Sequence, residues 1–278
     1  MTQSSKGTAL ITGASSGIGA IYADRLARRG YDLVLVARSQ DGLTNVAAEV
    51  TRGTGRRATT LRADLGARED LLKIEGFLRS DPSINMLVNN AGVGAVQPLL
   101  VSDVEDMERM IRINVTALTR LVYAAAPSFV AREQGTIINV ASALALAPEI
   151  LNGVYGATKA FVLALTFSLH KELAEKNVRV QAVLPGAVQT PFWESAGGSL
   201  EHLPDSIVMK ADHAVDAALA GLDMGELVTL PSVPDADDWN AYEAARQKLI
   251  PNLSRNIPAP RYCPAAIPQD ATPGAFHA

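Results

Sequence analysis

The sequence predicts an α/β fold built on a parallel, doubly wound sheet, and three observations predict it. Short apolar runs alternate with amphipathic helical stretches along most of the chain, which requires parallel strands, right-handed crossovers and helices on both faces. The first of these runs ends in glycines that open into a helix. The other chemistry-bearing motifs all fall at the carboxyl ends of strands, where such sheets bind ligands. The chain has 278 residues, 48% of them hydrophobic, enough for a large core. A net charge of −4 with dispersed Lys and Arg argues against nucleic acid or an anionic membrane as partner. Cys263 is the only cysteine, so no intrachain disulfide can form. The N-terminal M-T-Q-S-S-K-G-T has no signal-like apolar run, and no apolar stretch reaches about 18 residues free of charge and breakers. A cytoplasmic protein is expected.

Thr8 to Thr12 reads as the first strand, followed at once by T-G-A-S-S-G-I-G and a helix running to Gly30. Gly13, Gly17 and Gly19 follow G-x-x-x-G-x-G, which is not the G-x-G-x-x-G fingerprint. A strand ending in glycines at a helix start still gathers bare N–H groups at a positive helix end, a site for a diphosphate. The second strand, Asp32 to Ala37, ends in Arg38 and Ser39. In such a sheet this end faces the adenosine ribose of a dinucleotide, and an Arg there pairs with a 2′-phosphate; otherwise Arg38 is a solvated loop residue. A helix over Gly42–Arg52 and a strand over Ala58–Ala63 come next. Asp64, with Leu65, either touches the adenine amine or caps the helix starting near Arg68.

Met86 to Val88 is a buried strand running into N-N-A-G at residues 89–92, where side-chain amides can tie neighbouring strands and a flat ligand can approach Ala-Gly closely. A long helix is expected from Val104 to Ala126, with Met107, Met110, Ile111, Leu118 and Leu121 on its apolar side. Asn114 in its middle is intrinsically unfavourable there; it kinks the helix, holds a water, or is simply exposed. The strand Gly135–Asn139 leads to Ser142, and a helix spans Tyr155–Glu175. At its start stands Y-G-A-T-K. Four residues apart, the Tyr155 phenol and Lys159 ammonium share a helix face, and a fixed cation favours a phenolate whose reference pKa is about 10. A strand over Val178–Leu184 ends in Pro185-Gly186. From Ala187 to about Lys210 the pattern loosens into glycines beside aromatics, read as a mobile lid. Asp212–Leu222 is helical, Leu227–Leu230 a short strand and Asp235–Leu249 a terminal helix carrying Trp239, Tyr242 and Ala245 on one side. From Pro251 onward six prolines in 28 residues mark an extended tail.

Taken together, T-G-A-S-S-G-I-G, Asp64, N-N-A-G, Asn114, Ser142, Y-G-A-T-K and P-G-A-V-Q-T resemble the short-chain dehydrogenase/reductase family over residues 6–230. The resemblance implies one Rossmann-like domain of about seven parallel strands, here residues 1–250, with the tail 251–278 outside it. It implies NAD(P), no metal, and hydride transfer between NADP(H) and a carbonyl or secondary alcohol. It makes Tyr155 the general acid/base, Lys159 the residue that lowers its pKa, Ser142 the donor to the substrate oxygen and Asn114 the anchor of a proton-relay water. It places cofactor contacts at Gly13, Ser15, Ser16, Gly17, Ile18, Gly19, Arg38, Asp64, Leu65, Asn90, Ala91, Tyr155, Lys159, Pro185, Gly186, Val188 and Thr190. The A-R-S strand end resembles NADP-preferring members, although Ser15 and Ser16 leave the glycine loop without a second basic residue, so NAD(H) stays open as an alternative.

The substrate pocket is expected at Gly94, Ser142, Leu144, Ala145, Glu149, Tyr155, Ala187, Phe192 and Trp193. Its apolar character favours a hydrophobic ketone, aldehyde or secondary alcohol, with Glu149 either contacting a polar group or standing in solvent. A homo-oligomer, dimer or tetramer, is implied through the two long helices. Two rival readings use the same scaffold: a non-catalytic NADP-sensing protein and an epimerase or dehydratase.

Overall fold

Strand β1 (Thr8–Thr12) is buried along its whole length and lies inside the sheet, with a strand paired on either side. The computed structural model describes residues 5–262; Cys263 and the tail beyond it lie outside the described residues. After β1 come α1 (Gly17–Arg28), β2 (Asp32–Ala37), α2 (Gln40–Thr54), β3 (Ala58–Arg62), α3 (Arg68–Ser80) and β4 (Ile84–Asn89). The next helical stretch is α4 (Val104–Ile111), a π-helical turn (Arg112–Ala117) and α5 (Leu118–Ala131), followed by β5 (Gly135–Val140), α6 (Gly153–Leu173) and β6 (Val178–Val183). The chain continues through β7 (Ala187–Gln189), α7 (Phe192–Ser195), β8 (Val208–Lys210), α8 (Ala211–Met224), β9 (Val228–Thr229) and α9 (Ala236–Leu249).

Seven strands form one sheet in the order β3-β2-β1-β4-β5-β6-β9, every pair parallel. The order reverses between β1 and β4, and a crevice opens at the carboxyl ends there. One face of the sheet packs against α1 and α8 through Tyr22, Leu26, Val215 and Leu219, all buried. Between β4 and β5 the amide tie runs from side chain to side chain and not, as expected, to backbone groups: Asn89 Nδ2 donates to Asn139 Oδ1 (2.9 Å), and Asn139 Nδ2 to Thr166 Oγ1 on α6 (3.0 Å).

Three features depart from the sequence reading. The long helix does not stop at Ala126 but passes through Pro127 to Ala131. Phe129, only 1% exposed beyond that proline, lies against Gly135, and burying a Phe is worth about as much as the roughly 3 kcal/mol an internal Pro costs. The loosely patterned stretch after Ala187 is not wholly irregular, because β7 and β8 pair as a second, parallel sheet. Ile111, expected on the buried side, is 44% exposed, because α4 turns Met110, 1% exposed, to the core in its place.

By length and composition, one helical stretch among the described residues, Val104–Ala131, could cross a membrane. Half of its most apolar window is buried inside the protein, as in the core helix of a folded domain. The chain divides into two units, Met1–Ser232 and Val233–Ala278, and α9 lies in the second. Within that unit Asp235 caps α9 by accepting from Asp237 N (2.9 Å), and Trp239 stacks on Tyr242 with ring centroids 5.4 Å apart.

Candidate active site

The crevice is built from the glycine loop upward. Gly13 has φ +67°, and a Cβ there would stand 2.8 Å from Asn90 Nδ2 and 2.9 Å from Ala91 Cα. A Cβ at Gly19 would overlap the Gly13 carbonyl. Only glycine lets β1, β4 and α1 approach this closely. Asn90 and Ala91 lock the loop to β1. Both their N–H groups donate to Thr12 Oγ1 (3.0 Å each), and Asn90 Nδ2 donates to Thr12 O (2.9 Å) and Gly13 O (3.2 Å). Helix α1 starts at Gly17 with Ser16 extended and no side-chain cap, so its first N–H groups are left for a ligand. A Cβ at Gly17 would lie 3.1 Å from Thr190, and Ile18 and Pro185 line one small cavity. Val188 is buried in β7, and Gly186 precedes it in the connection from β6. An anion-accepting helix end, a narrow glycine cradle and a crevice at the strand reversal together fit a dinucleotide.

At the adenosine end, Arg38 is exposed just past β2 and Ser15 is half-buried against Gly42 of α2. Asp64 splits its roles. Its Oδ1 accepts from Gly66 N (2.9 Å), which makes it a turn-former rather than the cap of α3, whose N-cap is Ala67. Leu65 beside it is buried.

The reacting end is assembled by α6, β5 and the π-helical turn. Asn152 caps α6, accepting from Val154 N (3.0 Å) and Tyr155 N (3.4 Å). Its Nδ2 also donates to Gln97 O (2.8 Å), fixing the wall of the crevice to the same helix start. Asn114, Ser142, Tyr155 and Lys159 are 2%, 7%, 8% and 6% exposed. The Ser142 oxygen accepts from Leu144 N (3.2 Å), and its hydroxyl is hydrogen-bonded with that of Tyr155. Lys159 Nζ donates to Val140 O (3.0 Å) and lies 5.7 Å from the centre of the Tyr155 ring. Gly92 is packed between Asn114 and Lys159, since a Cβ there would stand 3.3 Å from Asn114 Oδ1 and 3.5 Å from Lys159 Nζ.

The electrostatics differ from the sequence expectation. Burial pushes the Tyr155 phenol up to about 12, with the Ser142 hydroxyl pulling in the opposite direction. Burial pushes the Lys159 ammonium down to about 8. Desolvation disfavours both charged forms, and the ammonium is directed at the Val140 carbonyl rather than at the phenol oxygen. Without a ligand, then, Lys159 does not bring Tyr155 below its ordinary value.

Asn114 is buried in the π-helical turn, and its amide closes on the loop after β4. Its Oδ1 accepts from Val93 N (2.9 Å), and its Nδ2 donates to Val93 O (2.8 Å) and Thr158 Oγ1 (3.1 Å). Both amide hydrogens are used, and the side chain clamps the loop after β4.

Over this group lies the lid. The Phe192 ring is 5.7 Å from the Tyr155 ring, and it touches Gly94 so closely that a Cβ there would overlap it. Val96 N donates to Ala196 O (3.2 Å), joining the lid to the opposite wall. Trp193 anchors it, its Nε1 donating to Val188 O (2.9 Å). Leu144 and Ala145 are half-buried in the short turn after Ser142, and Ala187 is half-buried in β7. Glu149 is exposed and has no hydrogen bond or ion pair among the described residues. Sequence reasoning missed Thr12, Asn152, Val140 and Thr158. Only Asn152 carried a signal, as an Asn three residues before the expected helix start at Tyr155.

The fold is a doubly wound sheet that gathers Ser142, Tyr155 and Lys159, all buried, beside the crevice at its strand ends. The sequence profile described as "short chain dehydrogenase" matches residues 7–199, and the chain belongs to that family. Its relatives include proteins named reductases and dehydrogenases. Among curated relatives, the very-long-chain 3-oxoacyl-CoA reductase of Anas platyrhynchos is 36% identical over 191 residues, 66% of this chain and 60% of the relative. The match thus spans less than two thirds of that relative's length. A solved short-chain dehydrogenase from Sphingobium yanoikuyae in complex with NADPH is 47% identical, with a TM-score of 0.89, covering 92% of this chain and 100% of that one. A bulky-bulky ketone specific alcohol dehydrogenase from Comamonas testosteroni is 42% identical, with a TM-score of 0.86, covering 94% and 100%.

Proposed function

We propose that the protein interconverts hydrophobic ketones and secondary alcohols with NADP(H), Tyr155 acting as proton donor in reduction and acceptor in oxidation. The observation that carries this reading is the burial of Tyr155 beside Ser142, under Phe192 and backed by Lys159. When bound, the nicotinamide supplies or accepts the hydride. Ser142 turns its hydrogen from Tyr155 to the substrate oxygen and holds that oxygen against the phenol. Tyr155, pushed up to about 12, is protonated at neutral pH, the form that reduction needs. As charge builds on the substrate oxygen, both hydroxyls stabilise it in a site from which water is excluded. Lys159 returns a proton to Tyr155 from solvent. The Asn114 amide ties the π-helical turn to Val93 and Thr158, and a proton-relay water anchored at this buried residue completes the reading.

The apolar contacts around Tyr155 and the bulky-ketone dehydrogenase of Comamonas testosteroni support a substrate with bulk on both sides of its carbonyl. Phe192 sets its size limit. Phe192→Ala should raise kcat/KM for the bulkiest ketones by about tenfold while leaving small ketones little changed, as measured by NADPH oxidation across a ketone panel; a uniform change would remove Phe192 from specificity. The same assay tests the reading as a whole. Stoichiometric NADPH oxidation makes the protein an oxidoreductase of carbonyls, whereas binding without turnover makes it a sensor.

The preference for NADP(H) rests on Arg38 and is supported by the NADPH complex of the Sphingobium yanoikuyae relative. Arg38→Asp should raise the Michaelis constant for NADPH by about a hundredfold, since it exchanges a charge-assisted contact for a like-charge repulsion. The constant for NADH should change little. Equal effects on both cofactors would sink the assignment. We also propose a homo-oligomer formed through the outward sides of α5 and α6, which leave Tyr123 69% and Phe161 39% exposed.

A further inference from the structure

The carboxyl end of β3 holds a cation that the reaction described above does not use. Arg62 is the last residue of β3 and pairs in register with Ala37, so it lies beside Arg38. Its Nε donates to the Arg38 main-chain carbonyl at 3.2 Å. That bond uses one of the five donors of the guanidinium fork. Among the described residues, the two terminal nitrogens have no hydrogen-bond partner and no ion pair, and the Arg38 side chain has none either. The nearby carboxylate of Asp70 feels the Arg62 charge but is engaged elsewhere, accepting from Asp64 N (3.0 Å) and Lys73 Nζ (3.0 Å). Two guanidinium groups on adjacent strand ends repel one another unless an anion lies between them. Next to them α2 starts at Gln40, with the Ser39 side chain already accepting from Gly42 N (3.2 Å).

We infer that Arg62 is a second ligand of the adenosine 2′-phosphate, closing on it from β3 as Arg38 does from β2. It would supply the positive charge that Ser15 and Ser16 leave out of the glycine loop. A planar fork fixed at its Nε to the neighbouring carbonyl presents its outer nitrogens at a set angle, the geometry that suits a phosphate. The inference rests on the NADP(H) reading, and it adds a specificity-determining residue at a position no motif marks.

The test is the dissociation constants of NADPH and NADH, read by fluorescence titration without substrate, for the wild-type chain, Arg62→Gln, Arg38→Gln and the double variant. Arg62→Gln should weaken NADPH about tenfold, the size of one charge-assisted hydrogen-bonded contact, and leave NADH within about twofold. It should weaken NADPH again in the Arg38→Gln background. If the loss disappears in that background, Arg62 acts only by holding the Arg38 carbonyl, and the inference is overturned. Equal losses for the two cofactors, or no loss, overturn it as well. A wild-type chain that binds NADH as tightly as NADPH would instead remove the NADP(H) reading beneath it, an outcome visible before any variant is made.

Discussion

Tyr155→Phe is expected to lower kcat for ketone reduction by about a thousandfold or more, since it removes the proton donor and one of two donors to the developing oxyanion. The dissociation constant for NADPH should stay within about threefold of wild type, because the glycine loop and the adenosine end are untouched. Folding should be little affected. The hydroxyl is buried with Ser142 as its side-chain partner, so its loss strands no more than one short contact, and the ring keeps its packing against Phe192 at 5.7 Å. Single-turnover kinetics with pre-bound NADPH separates the two effects. A variant that turns over at near wild-type rate would take the proton away from Tyr155 and leave Ser142 and bulk water as its source.

That such a variant can be chosen from the sequence at all reflects which parts of the site are local. The Tyr155–Lys159 spacing is a property of one helix turn, and Gly13 and Gly19 are forced by backbone approach, so each is legible in a few residues. Asn114 is different. The sequence shows an Asn in the middle of a helix, but not that its amide closes on Val93, 21 positions away, because that bond depends on the π-helical turn and on where the chain after β4 runs. The same holds for Lys159. Its spacing predicts a cation that lowers the phenol pKa, yet burial sets both groups, and burial is a property of the whole fold. The three-residue strands β7 and β8 were illegible for a simpler reason: each is too short for alternation to register. Pro127 argued for a helix end that the burial of Phe129 overrides.

Lys159→Met is expected to make the protein more stable and nearly inactive. The ammonium is pushed down from 10.5 to about 8 by burial alone, so charging it inside the folded chain costs about 3 kcal/mol. Methionine fills a similar volume without charge. Its own cost is the Val140 carbonyl, left without the 3.0 Å hydrogen bond from Lys159, about 1–2 kcal/mol. The balance favours the variant by about 1–2 kcal/mol, which in a domain of this size raises Tm by roughly 2–8 °C. The sign with pH follows from linkage. A lysine whose folded pKa is depressed destabilises the fold fully below that pKa, and the penalty fades as pH rises toward the unfolded value of 10.5. The gain should therefore be largest at pH 7 and shrink between pH 8 and 10.5, as followed by thermal denaturation without cofactor. Turnover should fall by about a hundredfold or more, because the proton path to Tyr155 is cut. A variant less stable than wild type at pH 7 would mean that the ammonium is satisfied where it stands, and that its burial is not a strain held for the reaction.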